Sequence, residues 1–378
     1  MRVVMRSREE PHRASTPLEL LFDLCFVVAI AVLAGSLHHG LAEGHAVSGI
    51  IGYVALFIPI WWAWMSYTWY ATAFDNDDLL FRLLTLAQMA GVLVLAAALP
   101  AALEGNVVPF TLAYTAMRLP LVVQWLRAAR DDEANRAFAL RYVYGIIGAQ
   151  CLWLLALAVP MPWRIGVWAL ALSADLLTPI WATRVAAGRV FHAGHIAERY
   201  GLFTLIVLGE TILAVSVGAR DVIAAGTLDL ATVAMCAAAL VTAFSVWWLY
   251  FDTLGRDALE RNRKAAFIWG YGHAILYASI AAIGAGVQAQ VDDPASGGAG
   301  WFTAVPTALV LLSLAWLQQS ANVQSRSAAL LAVLAVVVLA VAAIASSYAP
   351  LVAVASALIV VVAVATESLR SRKAQAPT

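Results

Sequence analysis

Charge is what this 378-residue chain lacks: Asp, Glu, Lys and Arg make up 12% of it, against 63% hydrophobic residues. A soluble globular domain carries roughly 25% charged residues, so that class is excluded. Lysine is nearly absent, with only Lys264 and Lys373, and the formal net charge is +0. A chain without a basic excess offers no field for nucleic acid, and no nucleic-acid partner is expected. Cysteine is scarce too. Cys25, Cys151 and Cys236 lie far apart inside apolar segments and read as small packing residues, not as a disulfide framework or metal site. No segment alternates polar and apolar residues in the manner of an outer-membrane barrel.

What is present is a succession of apolar runs, each long enough to cross a hydrocarbon core of about 30 Å as a helix. The fold class expected is all-α, a polytopic transmembrane helix bundle of about twelve spans. These are placed at 18–37, 49–70, 79–99, 107–126, 142–160, 164–182, 200–218, 228–251, 266–288, 301–320, 327–347 and 350–366. The two shortest separators, Met161-Pro162-Trp163 and a Ser-Tyr-Ala-Pro turn, are where the count is weakest. The division is a cytoplasmic N-terminal segment 1–17, a transmembrane domain 18–366 and a cytoplasmic tail 367–378. The short basic segment Met1 to Arg13 is followed by no small-residue cleavage site, so the first span reads as uncleaved.

Arginine placement sets an orientation. With the N-terminus inside, Arg2, Arg6, Arg8, Arg13, Arg127, Arg130, Arg136, Arg141, Arg184, Arg189, Arg199, Arg256, Arg261, Arg263, Lys264, Arg326, Arg370, Arg372 and Lys373 all fall on the inner side. Only Arg164 and Arg220 fall in outer loops. Positive residues inside predict both termini in the cytoplasm. Aromatic clusters at Trp61-Trp62-Ala-Trp64 with Trp69-Tyr70, and at Trp247-Trp248-Leu-Tyr250, suit interfacial belts. One inner loop breaks the rule: Phe74-Asp-Asn-Asp-Asp78 is acidic. It reads as a solvated turn, or as carboxylates including Asp75 that line an entrance or pair with Arg82. A weak six-plus-six parallel repeat is suggested by Phe74-Asp75 and Phe251-Asp252 at the ends of spans two and eight, and by Glu19 and Glu198 at the starts of spans one and seven.

Ionisable residues inside the spans are expensive and persist where they face a protein interior or a water path. Glu210 stands in the middle of an apolar run from Tyr200 to Gly218. Glu19 and Asp23, four apart, share one face of the first helix. Glu19 is near the interface, where it reads either as a helix-start carboxylate after Thr16 and Pro17 or as a site residue. Arg118 needs an anionic partner, with Glu210, Asp175 and Asp23 as candidates. Asp175 precedes Pro179 by four residues, which suits a kink beside a cation or proton site. His273 reads either as a neutral histidine bonded to a carbonyl or as a proton relay. A haem would need a second histidine within the spans, and no cofactor is expected. His38, His39 and His45 fall in an outer loop and His192 and His195 in an inner loop, without the carboxylate spacing of a metal site.

The segments Pro17-Leu-Glu-Leu-Leu-Phe-Asp23-Leu-Cys-Phe, Phe74-Asp-Asn-Asp-Asp78 and His195-Ile-Ala-Glu198-Arg199 through Gly209-Glu210-Thr-Ile-Leu resemble the bacterial low temperature requirement A family. Trp247-Trp248-Leu-Tyr-Phe-Asp252 and the glycine-flanked His273 are similar to it as well, and the likeness runs from about residue 15 to about residue 290. Cys25 is a mild departure in a motif that more often reads apolar there. The resemblance implies a multi-pass bacterial membrane protein linked to growth in the cold, with no settled activity. It singles out Glu19, Asp23, Asp75, Arg82, Glu198, Arg199, Glu210, Asp252 and His273.

The functional expectation is a secondary transporter or proton- or ion-coupled permease. Glu210 would exchange protons or bind a cation, with Asp23 and Asp175 along the path and Arg118 holding the carboxylates or an anionic group of the substrate. Glu198 and Arg199 would form the cytoplasmic mouth. The partners implied are the lipid bilayer and a small molecule or ion, protons included; a homo-oligomer is compatible with this. The alternative is a membrane-embedded enzyme of lipid remodelling in the cold, with His273 and a carboxylate as acid and base.

Overall fold

Among the described residues of the computed structural model every regular element is a helix, as the apolar runs require. The structure describes residues 2–6, 13–186, 191–226, 229–254, 259, 263–293, 298–320 and 325–375, with the side chains at 263–265, 325–326 and 371–375 left aside. Arg8, Arg189, Arg256 and Arg261, and the side chains of Arg263, Lys264, Arg326, Arg372 and Lys373, lie outside what is described. The helices are α1 (Pro17–Ala42), α2 (Ala46–Phe74), α3 (Leu79–Leu103), α4 (Val108–Asp131), α5 (Arg136–Ala158), α6 (Trp163–Ala182), α7 (Ala193–Ala225), α8 (Leu230–Thr253), α9 (Arg263–Asp292), α10 (Trp301–Ser320), α11 (Ser325–Ala345) and α12 (Ala349–Gln375). Eleven of them are long and apolar enough to cross a membrane, and the protein is a multi-pass membrane protein. The exception is α4, long enough but too polar, because it carries Arg118, Gln124, Arg127 and Arg130. Both short separators are true breaks, between Ala158 and Trp163 and between Ala345 and Ala349.

Polar side chains set the helix starts. Thr16 and Glu19 form a reciprocal cap: the Thr16 N–H donates to Glu19 Oε2 at 2.9 Å and the Glu19 N–H to Thr16 Oγ1 at 3.3 Å. Asp78 accepts the Phe81 N–H at 2.8 Å, and Asp229 accepts the Thr232 N–H at 2.8 Å. Helix α7 starts seven residues before the span expected at 200, capped by His192, whose Nδ1 accepts the His195 N–H at 3.1 Å.

The described residues form two compact units, Met1–Leu33 with Ala55–Arg199, and Ala34–Val54 with Tyr200–Thr378. In the first unit α3 packs on α4, α4 on α5 and α5 on α6. Its core is aromatic: Trp125 stacks on Tyr142 at 4.0 Å and meets Tyr70 edge-on at 4.9 Å, and Phe22 stacks on Tyr67 at 3.9 Å. Trp61, Trp62, Trp64 and Tyr70 are buried here, which corrects their reading as an interfacial belt; they fill the core, and Trp64 serves a buried carboxylate. Trp247 and Trp248 are about half exposed, whereas Tyr250 is buried. In the second unit α9 and α10 are the most buried spanning helices, and α8 packs against α12.

Two glycines mark close approaches. A Cβ on Gly145 of α5 would fall 2.3 Å from Thr178 Oγ1 on α6, and one on Gly286 of α9 would fall 2.2 Å from the Phe302 carbonyl oxygen. Only a residue without a side chain fits there. Gly145→Ala is expected to destabilise the purified protein by about 1–3 kcal/mol, the usual cost of overpacking, and a Thr178→Ala background should recover part of it. Thermal unfolding of the single and double variants checks this; equal melting of Gly145→Ala and wild type would contradict the packing.

Candidate functional site: a buried arginine between two carboxylates

Three helices of the first unit each contribute two polar residues four apart, and so on one helix face: Glu19 and Asp23 from α1, Trp64 and Thr68 from α2, His195 and Arg199 from α7. The faces converge. Arg199 holds Asp23 in a side-on fork, Nε to Oδ2 at 3.2 Å and Nη2 to Oδ1 at 2.5 Å, the bidentate geometry a guanidinium favours. Its Nη1 lies 2.8 Å from Glu19 Oε1 as a second ion pair. The Trp64 indole donates to Asp23 Oδ1 at 2.7 Å, and Arg199 Nη2 also reaches Thr68 Oγ1 at 3.4 Å. His195 Nε2 stands 3.3 Å from Glu19 Oε2. Glu19, Asp23, His195 and Arg199 all have 0% exposure.

Two expectations, Arg199 at a mouth and His195 in a loop, are corrected by this geometry, and the depth of Glu19 is defined. Glu19 is not solvated at an interface, because α2 and α7 cover it. Arg199 is not a mouth residue, because it is drawn inward by two carboxylates; the adjacent Glu198 is the exposed one and accepts the Ser15 N–H at 3.1 Å. His195 belongs to helix α7 and not to a loop. Its spacing of four to Arg199, matching that of Glu19 to Asp23, is the signal by which the sequence could have included it.

The hydrogen of the His195 contact is fixed by chemistry. Glu19, ionised beside Arg199, can only accept, so Nε2 carries the hydrogen. His195 Nδ1 then presents a lone pair, and this atom is buried without a hydrogen-bond partner among the described residues. The segment before α1 closes over the same end of the unit. Arg13 donates to the carbonyls of Ala71, at 2.7 Å, and Thr72, and the Arg6 N–H to that of Ala73 at 2.9 Å. On α2, between Trp64 and Thr68, Tyr67 begins a run of polar contacts. Its hydroxyl is 3.3 Å from that of Thr85, Gln124 donates to Thr85 Oγ1 at 3.2 Å, and Gln88 donates to Gln124 Oε1 at 3.1 Å.

The remaining sequence-selected residues lie elsewhere. Arg118 takes Asp175 as its partner, at 3.2 Å, and Asp175 also accepts from Tyr114 and Trp153, each at 3.1 Å. In the acidic turn, Arg82 forks onto Asp77 at 2.8 and 2.6 Å, and Arg127 pairs with Asp78 at 2.5 Å. That bond from Arg127, with the Phe81 N–H, outweighs burial and holds the Asp78 carboxyl down to about 2. Asp75 is buried, with Arg6 at 3.8 Å; burial, with the Glu19 charge adding to it, pushes its carboxyl up. In the second unit His273 has Nδ1 2.7 Å from the Trp269 carbonyl, to which it donates, and Nε2 3.0 Å from the Tyr250 hydroxyl. Asp252 is exposed and Glu210 part-exposed, and neither makes a hydrogen bond or ion pair among the described residues. Asp75 and Asp252, matched in the suggested repeat, thus have opposite environments.

Removing one partner of a buried ion pair costs roughly 3–5 kcal/mol, because it strands the other charge. Arg199→Gln is expected to lose about that much, and adding Glu19→Gln and Asp23→Asn to it should recover most of the loss. Thermal unfolding of the purified variants reads both effects; a triple variant no more stable than Arg199→Gln would show that charge is not what the cluster balances.

Comparison with known proteins extends the picture along nearly the whole chain. A protein of Rhizobium meliloti (strain 1021), itself uncharacterized, is 30% identical over 276 residues, covering 69% of this chain and 65% of the relative. The chain thus spans just under two thirds of that relative's length. The family model described as "Bacterial low temperature requirement A protein (LtrA)" matches residues 14–366, a span that holds Glu19, Asp23, His195 and Arg199. The chain belongs to the bacterial low temperature requirement A family.

Proposed function

We propose that this protein is a proton- or ion-coupled permease of the bacterial cytoplasmic membrane, with both termini in the cytoplasm, and that the Glu19–Asp23–His195–Arg199 cluster is its proton-accepting element. What carries the proposal is an imbalance of formal charge. Two carboxylates face one guanidinium, so these four side chains sum to one net negative charge while His195 is neutral and to none once Nδ1 takes a proton; Arg13 and Asp75, of opposite sign, act on the same end of the unit. A net charge kept at 0% exposure inside a spanning bundle is costly, which gives the site a reason to bind a proton or a monovalent cation. The unpartnered His195 Nδ1 favours the proton, since a ring nitrogen lone pair is a poor match for an alkali cation, which takes oxygen ligands.

Arginine placement supports the orientation: α1 and α7 then both run from inside to outside, and the cluster sits on the cytoplasmic side of the bundle. The contacts from Tyr67 through Thr85 to Gln124 and Gln88 supply hydroxyl and amide groups at the next positions inward.

Proteoliposomes with an internal pH dye test this across several substrate classes. Alkali cations, monocarboxylates and amines are added singly under an imposed pH gradient. Wild type is expected to couple proton movement to at least one class, and His195→Gln, melting at the wild-type temperature, should lose at least about 90% of that proton flux, a tenfold effect or about 1.4 kcal/mol. Undiminished proton flux in His195→Gln, or none in wild type with any class, refutes the proposal.

A further inference from the structure

Another buried cation of the first unit has few partners. Arg118 on α4 is 2% exposed. Of its guanidinium nitrogens, Nη2 alone is engaged, with Asp175 Oδ1 at 3.2 Å; Nε and Nη1 are buried without a hydrogen-bond partner among the described residues. Asp175, for its part, already accepts from Arg118, Tyr114 and Trp153, with Trp62 beside it. Burying a donor unsatisfied is costly, and more so for a charged group. The open N–H groups therefore call for further acceptors.

A second unsatisfied group lies at the same level. Helices α4 and α5 are antiparallel neighbours, and two ring contacts set their register: Tyr114 against Trp153 at 5.3 Å and Trp125 stacked on Tyr142 at 4.0 Å. Eleven residues separate the two contacts along each helix, so the register is the same at both. One turn on from Tyr114 is Arg118, and one turn back from Trp153, level with it, are Ala149 and Gln150. Gln150 is 4% exposed, and both its amide nitrogen and oxygen are buried without a partner among the described residues. The hydroxyl of Thr115, one turn before Arg118, is likewise buried and unpartnered.

Open donors thus outnumber open acceptors here: the unused N–H groups of Arg118, the amide of Gln150 and the hydroxyl of Thr115. We propose that Arg118 and Gln150 form a binding site for a small monovalent anion, halide or carboxylate, between α4, α5 and α6. The anion would accept from Arg118 and from the Gln150 amide nitrogen, while Asp175 keeps the guanidinium in place. This site is distinct from the Glu19–Arg199 cluster and holds whether or not that cluster couples to transport.

The test is thermal unfolding of the purified full chain at constant ionic strength, with gluconate replaced stepwise by chloride or by formate. Wild type is expected to gain a few degrees, saturably, in at least one series; a response to chloride identifies a halide site and one to formate a carboxylate site. Gln150→Leu should raise the half-saturating concentration about tenfold, as expected for the loss of about 1.4 kcal/mol. Gln150→Glu puts a carboxylate beside Arg118 and occupies the site itself. It should melt above wild type in gluconate and respond to neither anion, a result that a misfolded variant would not produce. Equal melting of wild type in all three salts, or an anion response that persists unchanged in Gln150→Glu, overturns the proposal.

Discussion

The contact on which the first unit depends is the fork of Arg199 onto Asp23, with Glu19 as the second arm. Two carboxylates and a guanidinium with 0% exposure survive in an apolar bundle only because each cancels part of another's charge and the Trp64 indole and His195 ring add donors to the carboxylates. Desolvation opposes this arrangement, and mutual attraction with good geometry offsets it. The residues that cover the cluster follow from that requirement: the Trp64 indole on Asp23, the Thr16 cap on Glu19, the Thr68 hydroxyl near Arg199. The large aromatic side chains of α2 then exclude water from a site that bulk solvent would otherwise screen.

The cluster also ties distant stretches of sequence together. Residues from α1, α2 and α7 meet there, while the segment before α1 is held to the end of α2 by Arg13 and by the Arg6 N–H. A change of protonation at His195 would alter the balance felt by Glu19 and, through Arg199, by Asp23. Ion pairs at one helix junction are therefore suited to link proton occupancy to helix position, because their energies change by several kcal/mol when a single charge is added or removed. The Arg118–Asp175 pair is built differently. Its carboxylate is surrounded by donors while its guanidinium keeps open N–H groups, so its deficit is one of acceptors and not of positive charge.

Much of the fold was legible in the sequence, because spanning helices are dictated by length and hydropathy, and the two shortest turns held. The one helix that falls short of a spanning composition, α4, does so for a visible reason: it carries the arginines and glutamines that serve the interior. Helix ends were less legible, since α7 starts where His192 supplies a side-chain cap that hydropathy does not register. Of the site, the Glu19–Asp23 face was apparent from its spacing, but depth was not. The expected positions were the interface for Glu19 and a mouth for Arg199, since a position near a span end says nothing about what other helices lie over it. The aromatic run of α2 misled for the same reason: tryptophan suits both a membrane interface and a core that contains a carboxylate to bond. Glu210, the most conspicuous residue in the sequence, is part-exposed and outside both buried clusters, because hydropathy reveals that a charge is anomalous but not which face of its helix it occupies.

The central claim is that His195 holds its hydrogen on Nε2, toward Glu19, and takes the balancing proton on Nδ1. Nitrogen-15 spectra of histidine-labelled protein in lipid nanodiscs, with His195→Gln to assign the signal, test it most directly. The account predicts an Nε2–H tautomer at high pH that becomes doubly protonated on acidification while the protein stays folded. An Nδ1–H tautomer, or a ring that remains neutral throughout the range in which the protein is folded, would contradict it.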